Sequence, residues 1–231
     1  MYNQKEIEKF NAQAHYWWDH EHGPFCMLHR VNPIRMQYIL KHATLLNKPV
    51  LDLGCGGGIL TESIYKEGAE TTGIDLAEES IEIAKRHAAD QHYNIDYQCV
   101  DIITKVKEYS KRFAVITCME MLEHVSDIQS IVNAISELLS DDGIAFFSTL
   151  NRTVMSYLQA IIGAEYIMSL LPKGTHNYNH FIKPSELSTI LINANLEIID
   201  ITGINYHPLN KSFSYNSKVD VNYMIACSKI I

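Results

Sequence analysis

No Cys-x-x-Cys pair occurs in the chain. Its five cysteines (Cys26, Cys55, Cys99, Cys118 and Cys227) are odd in number, widely spaced and mostly set inside apolar runs. That pattern argues against a zinc ribbon or a disulfide framework and for a reducing compartment. Positive charge is scarce as well. Nineteen Lys and Arg against 27 Asp and Glu leave a net charge of −8, whereas a nucleic-acid footprint needs clustered cations; no nucleic-acid partner is expected. The N-terminus lacks the charged-then-apolar layout of a secretory signal. No repeat and no low-complexity linker interrupts the chain. One apolar run is long, 154–171, but it carries Gly163 and Glu165 near its middle. Barely long enough for a bilayer and interrupted by an acid, it is not expected to span one.

What is present suits a single domain over 1–231: hydrophobic residues make up 47% of the chain and charged residues 20%, ordinary values for a packed soluble core. Residues 3–18 read as an amphipathic helix with Ile7, Phe10 and Ala14 on one face and Trp17–Trp18 at its end. Asn32-Pro33 reads as a helix start, Asn as cap and Pro at the first helical position; together these N-terminal helices occupy 1–47. Strands are then expected at 50–53, 70–75, 95–100, 113–118 and 144–149, with helices at about 58–67, 78–92 and 127–139 and a turn at Asp141-Asp142-Gly143. This alternation predicts an α/β fold: a mostly parallel sheet with helices on both faces. A helical, apolar insert follows the fifth strand (153–183 with its polar loop), then a helix from Lys183-Pro184 to about Asn195. Strand-like runs at 196–202 and 221–228 are expected to form an antiparallel hairpin at the sheet edge.

The stretch Val50-Leu-Asp-Leu-Gly-Cys-Gly-Gly-Gly-Ile-Leu60 organises this pattern as strand, tight turn and helix. Glycines there let a ligand approach the main chain without meeting a Cβ. A dinucleotide turn needs a small residue at the last position of Gly-x-Gly-x-x-Gly, but Ile59 or Thr61 stands there. What remains is Gly54-x-Gly56-x-Gly58. Acids end the next two strands, Asp75 and Asp101, and Asp75 lies 21 residues after Gly54, well placed for a ribose diol. This turn resembles that of class I S-adenosylmethionine-dependent methyltransferases, which implies a Rossmann-like fold of that class. In them the glycine turn lies against the methionine and ribose, the acid after the second strand takes the ribose hydroxyls, and the acid after the third contacts the adenine.

Further stretches narrow the resemblance. Leu28-His-Arg-Val-Asn-Pro-Ile-Arg35, Thr117-Cys-Met-Glu-Met-Leu-Glu-His124, Phe147-Ser-Thr-Leu-Asn-Arg152, Gly163-Ala-Glu-Tyr-Ile, Pro172-Lys-Gly-Thr-His176 and Val219-Asp-Val-Asn-Tyr-Met224 resemble the ubiquinone-biosynthesis O-methyltransferases, from about Glu6 to Cys227. That family methylates phenolic hydroxyls on polyprenylated rings at two steps of the quinone pathway: 3-demethylubiquinol and 2-polyprenyl-6-hydroxyphenol. The resemblance implies cofactor contacts at Arg35, Gly54, Gly56, Asp75, Asp101 and Met119. Arg35 suits the methionine carboxylate as a bidentate fork, and Met119 suits the adenine face.

Glu120, Glu123 and His124 follow the fourth strand, and on a helical turn their spacing puts all three on one side. Three readings stand open. The carboxylates and imidazole hold Mg²⁺ or another divalent cation, as the resemblance also suggests; His124 alone is a general base; or the turn is merely solvated. His15, His29, His176 and His180 could also reach the substrate side, but each is read as structural or solvated. The insert reads as a lid. Arg152, Lys173 and Lys183 flank it, suggesting contact with anionic membrane lipid and hence a cytoplasmic enzyme held peripherally at the membrane's inner face. Other enzymes of the ubiquinone pathway are expected partners. The rival reading is an O-methyltransferase for a soluble phenol; a non-catalytic cofactor-binding module, a nucleic-acid methyltransferase and an NAD enzyme fit less well.

Overall fold

The computed structural model describes residues 4–157 and 178–230. Eight strands form one sheet: β1 Pro49–Leu53, β2 Glu70–Asp75, β3 Asp96–Cys99, β4 Phe113–Met119, β5 Leu139–Leu150, β6 Leu196–His207, β7 Ser212–Asn216 and β8 Asn222–Lys229. Their order across the sheet is β3-β2-β1-β4-β5-β8-β6-β7. Strands β1 to β5 run parallel. The chain leaves β1 toward β2 and β3 and returns to β4 on the other side. A crevice opens where that order reverses, beyond the carboxyl ends of β1 and β4, and such crevices hold ligands.

Both faces of the sheet are covered, and the strand residues divide between them with period two. Ala145 and Phe147 of β5 with Ile225 and Cys227 of β8 pack into one apolar cluster, against α6 (Ile128–Leu138) and α8 (Pro184–Asn193). Phe146, Met224 and Ala226 point the other way, to α2 (Cys26–His42) and α3 (Ile59–Lys66). On α6 the spacing of Ile131, Ile135 and Leu138 makes the apolar stripe, and the Asp127 carboxylate caps it by accepting from the Ser130 N–H at 3.0 Å.

Four expectations are corrected. Asn32 caps nothing, because α2 begins six residues earlier and Pro33 lies inside it. The buried stripe of Val31, Arg35, Met36 and Ile39 continues back to Cys26, and the Asn32 amide donates to Ser63 Oγ at 2.7 Å on α3; tertiary contacts outweigh the local cap signal. A helix unforeseen in the sequence, α5 (Ile102–Tyr109), follows β3. The two C-terminal runs pair antiparallel as expected, but not as a hairpin at the sheet edge. β8 inserts antiparallel between β5 and β6, and the edge hairpin is β6 with β7, in what the sequence suggested was loop. Finally, the turn at 141–143 is a bulge within β5, where pairing jumps from Phe113↔Leu139 to Val115↔Ile144.

Helix α1 (Gln4–Gln13) and a 3-10 turn at Ala14–Tyr16 precede α2. A further helix, α4 (Glu78–Asp90), follows β2. After β5, Thr153 caps the single helical turn α7 (Val154–Ser156). The rest of the expected insert, with Gly163, Glu165, Lys173 and His176, lies outside the described residues. Among the described residues no helix is long and apolar enough to cross a membrane.

Candidate active site

The glycine turn joins β1 to α3 and is tied to β2. The N–H groups of Gly54 and Cys55 both donate to the Ile74 carbonyl, at 2.8 and 3.1 Å. Gly54 takes φ +76°, a conformation that disfavours any residue with a Cβ. Asp75, ending β2, accepts from the Gly56 N–H at 2.9 Å and the Ala77 N–H at 2.8 Å. Burial pushes its carboxyl above the ordinary carboxylate range, against the opposing pull of those N–H donors. Each Asp75 oxygen spends one lone pair on the backbone, and a carboxylate has about four, which leaves acceptors for a diol.

These elements wall a cavity. Arg35 of α2, Gly54 and Gly56, Asp75, and Met119 and Glu120 line it. Arg35 is 5% exposed, its Nη2 lies 3.2 Å from Glu120 Oε1, and its Nε has no hydrogen-bond partner. A buried guanidinium nitrogen without an acceptor is costly, and the carboxylate of a bound amino-acid moiety would satisfy it. The residues therefore fit S-adenosylmethionine. Asp101 behaves otherwise: its Oδ1 accepts from the Ile103 N–H at 2.9 Å as the N-cap of α5, while its neighbours Val100 and Ile102 line the cavity.

Helix α1 supplies a wall that the sequence had not assigned to the site. Glu6, Ile7 and Phe10 line the cavity, and so does Trp17. The Ile7–Phe10–Ala14 stripe was legible, but not what it would cover. Trp17 lies directly on Gly56 and Gly57, where a Cβ would collide with its ring. The close approach that the glycines permit is thus used by the chain's own indole. Its Nε1 donates to Ser80 Oγ at 2.9 Å, and its ring stacks on Phe25 with centroids 3.7 Å apart.

The one-sided helical turn expected for Glu120, Glu123 and His124 is not formed. Glu120 has φ +54°, and only Leu122–His124 makes a 3-10 turn. The three side chains go to separate partners. Glu120 Oε1 accepts from Ser148 Oγ at 2.7 Å, Asn222 Nδ2 at 3.2 Å and Arg35. Glu123 Oε2 accepts from Thr149 Oγ1 at 2.8 Å. His124 Nδ1 lies 2.9 Å from Glu6 Oε2. Among the described residues no group of three His, Cys, Asp or Glu side chains is placed to hold a metal ion. The arrangement does not fit a divalent cation, and no step is derived through one.

Burial, with the neighbouring Glu120 charge, pushes the Glu123 carboxyl up to about 7. For His124, burial favours the neutral ring, but the Glu6 hydrogen bond and the charges of Glu123 and Glu6 outweigh it, so its pKa rises. His124 and Val125 also line a second cleft, with His180, Phe181, Ile182 and Ile190 on its walls. Of the other histidines, His29 Nε2 is bound to the Trp17 carbonyl at 2.8 Å and His15 lies against Tyr16. Arg152 is engaged by Glu186.

Comparison with known proteins agrees with this geometry. A family model described as a methyltransferase domain matches residues 28–201. The chain is 48% identical to the ubiquinone biosynthesis O-methyltransferase of Coxiella burnetii, over 97% of this chain and 95% of that protein. It is 46% identical to that of Chromobacterium violaceum, over 96% and 95%. Among solved structures, magnesium protoporphyrin IX methyltransferase from Synechocystis PCC 6803 with bound SAH superposes with a TM-score of 0.70, covering 98% of each chain at 15% identity; at that identity the likeness is one of fold. With a mostly parallel sheet, antiparallel C-terminal strands and helices on both faces, this is the class I methyltransferase fold. On sequence and structure together, the chain belongs to the ubiquinone biosynthesis O-methyltransferase family.

Proposed function

We propose that this chain transfers a methyl group to phenolic hydroxyls of polyprenylated rings, 3-demethylubiquinol and 2-polyprenyl-6-hydroxyphenol, with His124 as general base. The observation that carries the reading is the position of His124 in the wall shared by the cofactor cavity and the second cleft. When bound, S-adenosylmethionine supplies an electrophilic methyl on a sulfonium whose C–S electron pair leaves with the sulfur. Arg35 holds the amino-acid carboxylate, Asp75 the ribose hydroxyls, and Met119 packs on the adenine. A phenol with a pKa of about 10 is protonated at neutral pH, so a base is needed. Because an ionised Glu6 can only accept a hydrogen bond, the neutral form of His124 carries its proton on Nδ1 and offers the Nε2 lone pair to the phenol proton; the raised pKa makes that form the majority only toward alkaline pH. Glu120 acts through Arg35 as a fixed part of the cavity wall, and Glu123, buried behind it, is held by Thr149. Much of the acceleration comes from holding the two reactants in line and excluding water.

Side chains of Phe181, Ile182 and Ile190 in the second cleft suit an apolar ring and the start of its tail. A polyprenyl tail resides in a bilayer, so the reading implies peripheral contact with anionic lipid at the cytoplasmic face, and other enzymes of the pathway as partners that hand over insoluble intermediates. Lys173 and Lys183 are the cations offered to lipid; Arg152 is spent on Glu186. Flotation with anionic liposomes is expected to weaken on changing both lysines to Glu, and equal flotation would sink the electrostatic part. The activity itself is tested with a short-tail demethylubiquinol, a soluble catechol, and EDTA in parallel. Turnover of the quinol, unaffected by EDTA, is expected. Preference for the catechol would favour the soluble-phenol reading, and loss with EDTA would restore a metal.

A further inference from the structure

Helix α1 serves two places at once. Ile7 and Phe10 wall the cofactor cavity, and from the same helix Glu6 reaches a residue 118 positions away, its Oε2 lying 2.9 Å from His124 Nδ1. The hydrogen bond from His124 pulls the Glu6 carboxyl below its ordinary range, so it is ionised at neutral pH and purely an acceptor. Phe10 meets the same imidazole edge-on, with centroids 5.3 Å apart and planes at 86°. Bonded through one nitrogen and packed against one ring, the imidazole is restricted in both tautomer and rotation. Lys9 lies 3.9 Å from the same Glu6 oxygen, and the Asn11 side chain of α1 accepts from the Glu79 N–H of α4 at 3.1 Å, which seats the helix.

We infer that Glu6 is a positioning residue for His124: it fixes the Nδ1–H tautomer and aims Nε2 at the acceptor phenol, and it does so only while α1 lies over the cofactor cavity. This rests on the reading of His124 as base. It couples two events that a base on the core scaffold alone would leave independent. Seating α1 closes the cavity and completes the base; lifting α1 opens the cavity and releases the imidazole. The competing role for the same contact is a plain clamp that ties α1 down, and the two make different demands. A clamp governs cofactor affinity and stability. A positioning residue governs turnover of the saturated enzyme.

The test is a double-mutant cycle on the full chain, Glu6→Ala and His124→Ala singly and together. Turnover of a short-tail demethylubiquinol is read at saturating S-adenosylmethionine, and SAH affinity by calorimetry. Glu6→Ala is expected to lower kcat about 10- to 100-fold, below the 10²–10⁴ that a whole general base contributes, with the SAH Kd within about twofold of wild type. Glu6→Gln, which keeps an acceptor oxygen, is expected to recover part of that loss. In the His124→Ala background Glu6→Ala is expected to change nothing further. Equal losses in both backgrounds would overturn the inference, as would weakened SAH binding with kcat intact. Glu6→Met, of similar volume and without an acceptor, repeats the test if the Ala variant does not fold; loss of SAH binding in both marks Glu6 as a clamp and overturns the inference. His124→Ala with wild-type turnover would instead remove the base reading. Turnover lost in His124→Ala but untouched in Glu6→Ala would remove only the role of Glu6.

Discussion

Replacing Gly57 with Ala isolates the contact between the glycine turn and Trp17. Gly57 is not among the residues with positive φ, so a methyl group there strains no dihedral and the change tests space alone. A Cβ on Gly57 would stand 2.5 Å from Trp17 Cβ and 2.7 Å from its Cδ2, against about 3.5–4.0 Å for carbon atoms at optimal separation. The overlap of about 1 Å must be relieved by moving the indole, which is 5% exposed, stacked on Phe25 and bonded to Ser80. Overpacking of this kind costs about 1–3 kcal/mol, or about 2–12 °C in Tm for a chain of this size. Calorimetric melts of Gly57→Ala, Trp17→Ala and the double variant complete the cycle. Trp17→Ala alone is expected to cost about 3–5 kcal/mol. Trp17→Ala removes the ring, Cδ2 included, but keeps the Cβ that would stand 2.5 Å away, so part of the Gly57→Ala cost is expected to remain, with a coupling of about 0.5–3 kcal/mol. The full penalty persisting without Trp17 would refute the reasoning and return Gly57 to a purely local role.

Arg35→Met removes the guanidinium whose Nε lacks a partner. Losing a charge-assisted hydrogen bond of about 1.5–3 kcal/mol should weaken SAH about 10- to 150-fold by calorimetry, and a change under twofold would take Arg35 out of the cofactor site. Glu123 is held near 7 against an ordinary 4.5. A raised carboxyl contributes stability that is fully present below pH 4.5 and is lost as pH rises through about 7. At 1.36 kcal/mol per unit that gap sets a ceiling of about 3 kcal/mol. Glu123→Gln should therefore match wild type in denaturant unfolding near pH 5 and exceed it increasingly toward pH 8; a difference constant with pH would contradict the assigned environment.

Local chemistry was legible where neighbours in sequence are neighbours in space. The turn at Gly54, the acid of Asp75 at the next strand end and the continuous apolar runs of β4 and β5 all follow from short-range sequence. Arg35 and Met119 entered through the resemblance, and the structure brings both to the same cavity. What escaped depends on tertiary contact. Nothing in residues 4–13 says that α1 covers a cavity made by β1, β2 and β4, so Glu6 and Trp17 went unassigned. The motifs at 147–152 and 219–224 stood out without a role; Ser148, Thr149 and Asn222 prove to hold the two glutamates. Helical spacing misled at Glu120, because its φ of +54° turns the chain before the 3-10 turn begins. The insertion of β8 between β5 and β6 was hidden because both C-terminal runs read equally well as edge or interior strands.

The most direct test of the reaction assigned to this site is transfer of an isotopically labelled methyl from S-adenosylmethionine to demethylubiquinol, comparing wild type with His124→Ala after calorimetry has shown equal SAH affinity. The expected result is label on the ring oxygen with wild type and a loss of about 10²–10⁴ in rate with the variant. Label on the ring oxygen at an equal rate in both proteins would contradict His124 as the base, and no label on the quinol with either protein would contradict the substrate.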